Sequence, residues 1–270
     1  MKYKITLATM CFLYFFLGYW DFSFSQTTPE IKMEQKEIED YLKKAQVCPG
    51  KQRVGRRTEA WLLCLTDGKV ERRGFFRVTN RTRPHPIPDS YKYDLAAYEL
   101  NKFLDLNIVP PTVEREVEGR KGSLALLIEK AITEEARRNN NIEPPDSERF
   151  KDSLEELTVF ENLTYSNSYC AERDLPDILI IRKENWKIWR VDFSEAFDPY
   201  PELIPECHIT RCSKKLYQNL LKLDDEIIKT KLSLYLNDAE ISALLERKKI
   251  IIEKIKKLIA EKGEEAVLFS

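Results

Sequence analysis

Apolar and polar positions follow two different periods along this 270-residue chain, and the change falls near residue 130. Upstream of it, short runs rich in branched and aromatic residues predict strands over 60–65 and 74–78, joined by a turn at Thr66-Asp67-Gly68. Residues 80–89, NRTRPHPIPD, read as a proline-broken loop. Ser90 then caps a helix over 91–104, whose buried side is Leu95, Ala96, Tyr98, Leu100, Phe103 and Leu104. Two further strands, 109–113 and 124–129, flank a turn at 118–122. Downstream, apolar residues recur at three- and four-residue intervals. They predict a helix from Asp146 or Ser147 to about Leu163, then helices over 214–223, 225–235 and 238–261. An amphipathic helix over 29–47, ending near Cys48-Pro49-Gly50, precedes the strands. The pattern is α+β: a helix and linker at 26–53, a small β-rich part with one helix at 54–130, and a larger helical part at 131–270.

One stretch interrupts the helical part. Residues 177–197, DILIIRKENWKIWRVDFSEAF, contain two short apolar runs, 178–181 and 187–191, around the polar turn 182–185, and predict a β-hairpin. Asp177 stands just before the first strand and Asp192 just after the second. Antiparallel pairing brings those ends side by side, so both carboxylates can face one hard divalent cation. Acids at strand ends also cap turns or sit in solvent, and spacing by itself does not separate these readings. Upstream, Gly55, Arg56 and Arg57 precede the first strand, a glycine with paired arginines that suits a grip on phosphate. Solvated charges at a strand start give the same pattern.

Lys plus Arg number 44 against 45 Asp plus Glu, so no net field draws the chain to nucleic acid or to acidic membrane. The first 25 residues differ from the rest: Lys2 and Lys4, an apolar run over 5–20, then Ser23-Phe24-Ser25. They read as a secretory signal cleaved near Ser25, with an uncleaved membrane anchor as the alternative. The exported chain then has no membrane-spanning segment. Five cysteines follow the signal: Cys48, Cys64, Cys170, Cys207 and Cys212. In an oxidising compartment Cys207 and Cys212 can close a small loop, and buried free thiols are the equal alternative. With no CxxC and only His85 and His208, a thiolate or imidazole metal site has little support.

The ordered motifs over 54–269 carry a family likeness. The string 90–129, then VFENLTY, DILI, WKIWRVDFSEAF and the tail RKKIIIEKIKKLIAEKGEEAVLF, resembles a group of bacterial proteins with a protein-kinase-like fold. That group is related to phosphatidylinositol 3/4-kinases and HipA-type kinases. The resemblance implies a bilobal fold, a small β-rich N-lobe with one helix over a larger helical C-lobe, and nucleotide in the cleft between them. It places Arg77 where the family has a phosphate-binding Lys and Asp94 where the next helix supplies that cation's acid. Arg for Lys is not a conservative exchange where a compact ammonium must sit between phosphates. Aligned backwards from the hairpin, Glu172 takes the catalytic-base position and Asp177 a metal position held by Asn in the family. Aligned forwards from Tyr165, the base position falls on Ser168. Asp192 matches the metal-binding Asp without change.

These departures lead to an expectation of an exported kinase-fold protein with a divergent cleft and weak or no phosphotransferase activity. Gly55, Arg56, Arg57, Arg77 and Asp94 would bind nucleotide, Asp177 and Asp192 would hold Mg²⁺ or Mn²⁺ beside ATP, and Glu172 would be the base. The alternative is a pseudokinase, a scaffold module that takes no nucleotide and engages a protein partner. That second reading expects Arg77 to be locked against Asp94 and Asp192.

Overall fold

The computed structural model describes residues 34–54, 58–166 and 179–270. The signal segment, Gly55, Arg56, Arg57, Ser168, Cys170, Glu172 and Asp177 lie outside the described residues. In chain order the elements are α1 (Gln35–Lys44), β1 (Gln46–Val54), β2 (Ala60–Thr66), β3 (Glu71–Arg77), β4 (Asn80–Arg81), β5 (Asp89–Ser90), α2 (Tyr91–Phe103), β6 (Thr112–Val117) and β7 (Arg120–Leu126). There follow β8 (Ala131–Thr133), α3 (Glu134–Asn139), α4 (Ser147–Thr164), β9 (Leu179–Arg182), β10 (Ile188–Arg190), β11 (Cys212–Ser213), α5 (Lys214–Lys222), α6 (Asp225–Leu232), α7 (Asp238–Lys262), α8 (Glu264–Val267) and β12 (Leu268–Phe269). The β-rich region thus precedes the helical one, as the periodicity predicts.

The first five long strands make one antiparallel sheet in the order β1-β2-β3-β7-β6. The β2–β3 turn is set by its own side chains: Asp67 Oδ1 accepts from the Lys69 and Val70 amides, both at 2.9 Å, and Gly68 takes φ +85°. β1 is a strand where the sequence predicts a helix end. Pro49 and Gly50 read as breakers, but an edge strand tolerates them where its register is irregular, here between Val47 and Lys51. A Cys48–Cys64 disulfide ties this edge to β2. The predicted Cys207–Cys212 loop is not formed: Cys212 is a free buried thiol, and Cys207 is disulfide-bonded elsewhere. Residue spacing could not rank the pairings, because Cys48 comes beside Cys64 only through the pairing of the missed strand β1 with β2.

Two cores hold the molecule. α1 lays Tyr41, Leu42 and Ala45 on one sheet face against Leu63, Leu65, Phe76, Val113 and Leu124. The larger core runs from Tyr93, Ala97 and Leu100 of α2 through Leu157 and Phe160 of α4 to Leu244, Ile251 and Ile255 of α7, and takes in Leu179, Ile181 and Ile188 of the hairpin. α2 therefore packs on both sides: it lies against β6 and β7 of the sheet while its apolar face joins the larger core. Among the described residues no helix is long and apolar enough to cross a membrane.

Candidate functional site

Strand alternation decides what β3 presents on each face. Gly74 and Phe76 point to the α1 core, so Phe75 and Arg77 face the other way. β7 pairs in register, Phe75 with Ala125 and Arg77 with Ser123, and adds Ser123 and Ala125 to the same face. Gly122 lets the two strands approach at this point: a Cβ there would overlap the Arg77 carbonyl. From below, the β9–β10 hairpin presents Ile180, its register fixed by the buried Leu179, Ile181 and Ile188. The hairpin predicted from the sequence is present, with Leu179–Arg182 paired to Ile188–Arg190.

Between sheet and hairpin lies a cavity of about 360 Å³, within the range of small-molecule sites. Its walls are apolar at Phe75, Ala125, Leu127, Ile128 and Ile180, while Arg77, Asp94 and Asp192 form a charged end. The structure thus brings together three of the residues singled out from sequence.

Arg77 is the centre of that end. Its side chain is 3% exposed, and its Nε lies 3.1 Å from Asp94 Oδ2 and its Nη2 2.7 Å from Asp192 Oδ1. Asp89, just before the α2 cap, is a third carboxylate, 3.7 Å from Nη1 and also paired with Arg81 at 2.9 Å. Ser90 caps α2 by accepting from the Lys92 amide, which sets Asp94 in the first helical turn. Asp94 Oδ1 accepts from the Phe193 amide at 2.9 Å and Oδ2 from Ser123 Oγ at 3.1 Å. Burial raises the Asp94 carboxyl above the usual range, Arg77 opposes this, and the charge on Asp192 adds to it.

Asp192 has the opposite balance. Partial burial would raise its carboxyl, but Arg77, the Ser194 hydroxyl at 2.9 Å and Arg190 together hold it below the usual range. Its side chain remains 45% exposed on the cavity wall. Its φ is +64°, in the left-handed region that Asp tolerates better than most residues. Its Oδ1 is taken by Arg77 and Ser194, and with Oδ2 as the remaining hard donor of a half-exposed carboxylate Asp192 fits Mg²⁺ or Mn²⁺. Asp94 does not, since both its oxygens are already engaged. Among the described residues three metal-ligating groups cluster at Cys48, Cys64 and Glu71, but there the two sulfurs are bonded to each other.

No protein-family model matches the chain, and no curated protein sequence matches it. A solved structure does: the chain is similar to a Helicobacter pylori proinflammatory kinase, CtkA, with a TM-score of 0.51 at 11% identity, covering 85% of this chain and 99% of that one. The fold is kinase-like. At this identity the likeness carries the architecture alone, and the kinase-like frame accounts for a five-stranded sheet with one helix above a helical region. Sequence reasoning missed three members of the site within that frame, Asp89, Ser123 and Arg190, and Glu161, which pairs with Arg190 behind the cavity wall. Two carried a signal. Arg190 lies between Trp189 and Val191 and Glu161 directly follows Val159-Phe160, charges beside apolar residues of a kind that bury only when paired.

Proposed function

We propose that this chain is an exported kinase-fold protein, related to phosphatidylinositol 3/4-kinase-like and HipA-type proteins, whose cleft takes nucleotide with a divalent cation but transfers phosphoryl groups weakly or not at all. The observation that carries this reading is Arg77 bridging Asp94 and Asp192 at the charged end of an apolar-walled cavity. In the reading, a 54–130 lobe supplies Arg77, Asp94 and a phosphate cover at Gly55, Arg56 and Arg57, and a 131–270 lobe supplies Asp177 and Asp192 for Mg²⁺ or Mn²⁺. A bound cation of this kind would neutralise phosphate charge. Glu172 is the proposed base. Weak transfer follows from Arg77: its guanidinium faces three carboxylates, so phosphates must compete for it. The Cys48–Cys64 disulfide supports an oxidising compartment and with it the export signal.

The test is thermal melting of the purified protein with ATP or GTP and Mn²⁺, with the Asp192→Ala variant alongside. A ligand at about 100 times its dissociation constant stabilises by about 2.7 kcal/mol. A rise that the variant lacks is expected; no rise up to millimolar nucleotide rejects the reading. The closed Arg77 cluster favours one rival, a pseudokinase scaffold that takes no nucleotide and binds a protein partner, and that rejection would leave it standing.

A further inference from the structure

Arg190 and Glu161 are both fully buried, and Arg190 Nε donates to Glu161 Oε1 at 2.5 Å. Replacing both partners of such a pair by apolar residues is often neutral, so the pair by itself explains little. What the guanidinium reaches with its other nitrogens is more informative. Nη1 donates to the Val191 carbonyl and, at 3.0 Å, to the Asp192 carbonyl, while Nη2 donates to Ser166 Oγ at 2.7 Å. The Phe193 ring lies 4.4 Å from the guanidinium carbon. One side chain therefore grips the peptides on both sides of the Asp192 Cα and the hydroxyl just after the α4 C-terminus. Asp192 is the residue in the left-handed region, φ +64°, where a non-glycine residue persists only when its surroundings hold it.

We infer that Arg190, itself held by Glu161, is a positioning residue for Asp192. It fixes the Asp192 peptide in its left-handed conformation and so sets where the carboxylate stands on the cavity wall. The role needs a planar fork with several donors, which the single ammonium of lysine does not supply. The inference rests on the proposed reading of Asp192 as a cation ligand, and follows the general behaviour of groups that orient a metal-binding side chain.

The experiment compares the full-length protein with Arg190→Lys and with the paired change Arg190→Met/Glu161→Leu. Two quantities are read: Mn²⁺ affinity from the electron paramagnetic resonance of free Mn²⁺, and amide exchange at Phe193, whose N–H donates to Asp94 only while the segment is aligned. Melting close to wild type is expected, together with Mn²⁺ binding weakened by about 10- to 100-fold and faster exchange at Phe193. The lysine variant keeps the buried charge pair, so it decides the matter if the apolar pair does not fold. Unchanged exchange at Phe193 in the folded variants overturns the positioning role. A wild-type protein that binds no Mn²⁺ overturns the cation reading instead, and the exchange still decides the positioning.

Discussion

Arg77 Nη2 stands 2.7 Å from Asp192 Oδ1, so the end of β3 and the residue after the β9–β10 hairpin are joined by one buried cation. The same guanidinium also faces Asp94 and Asp89. Arg77→Met would leave two of these carboxylates without their cation, Asp89 keeping Arg81. Breaking a buried pair from one side costs about 3–5 kcal/mol, which for a chain of this size lowers the melting temperature by roughly 10 °C. Arg77→Lys is expected to fall between wild type and Met, since one ammonium cannot face all three acids. A Met variant that melts like wild type would remove Arg77 from the centre of the site.

Gly122 is the second determinant of where Arg77 sits. A Cβ there meets the Arg77 carbonyl, a backbone group that cannot swing aside, whereas nothing surrounds a Cβ at Gly119. Gly122→Ala is expected to destabilise by about 1–3 kcal/mol through overpacking. Urea unfolding measures it, and an unchanged midpoint would mean that β3 and β7 can part without loss.

The Cys48–Cys64 bond closes a loop of 16 residues' separation around the edge strand. The chain-entropy model gives about 3 kcal/mol for a loop of that length. Cys48→Ser/Cys64→Ser should therefore lower the unfolding free energy by about 2–3 kcal/mol when both proteins are unfolded in urea without reductant. Equal stabilities would show that the bond does not restrain the unfolded chain.

Much of this architecture was legible because local signals and tertiary packing agree. Ser90 and Asp146 cap helices where the sequence places them, and the hairpin's apolar runs match its register within a residue. β1 was not legible: its burial is low and its Pro-Gly pair mimics a turn, so only pairing with β2 defines it as a strand. The site divides in the same way. Arg77 and Asp94 were named through a family resemblance and Asp192 already from its place after the predicted hairpin, whereas Asp89 looks like an ordinary helix-cap neighbour until the fold brings it to Arg77. Ser123 became informative only once the register opposed it to Arg77.

Lys187 offers a pH-dependent check on the hairpin. Burial, with Arg182 nearby, lowers its ammonium to about 8, against about 10.4 in an unfolded chain. Between those values the unfolded chain holds more protons than the folded one, so this group makes stability rise with pH across roughly 8 to 10.4. Several buried tyrosines are raised to about 12 and pull the other way as pH climbs past 10. The quantity to measure is therefore the melting-temperature difference between wild type and Lys187→Met from pH 7.5 to 9.5. Wild type should gain on the variant as pH rises. A constant difference would place the ammonium in solvent.

Arg83 fastens the proline-rich loop between β4 and β5 to the helical region. Its Nη1 donates to Glu240 Oε1 and to the Ala196 carbonyl, both at 3.0 Å, its Nε pairs with Asp198 at 3.1 Å, and it lies over the Tyr93 ring at 5.2 Å. Glu240 is buried and is shared with the Tyr93 hydroxyl at 2.7 Å. Asp198 is more exposed, and Arg247 still holds its backbone carbonyl at 3.0 Å. The two ends of this clamp are therefore unequal. Arg83→Met strips the cation from a buried carboxylate and should cost about 3 kcal/mol, whereas Asp198→Asn removes a part-exposed partner and should cost no more than about 1 kcal/mol. Amide exchange in residues 82–88 and 195–198 should quicken in Arg83→Met and leave the hairpin unchanged, because β9 and β10 are held by the larger core. Equal losses in the two variants, or faster exchange spread through the hairpin, would mean that the loop is not anchored at Glu240.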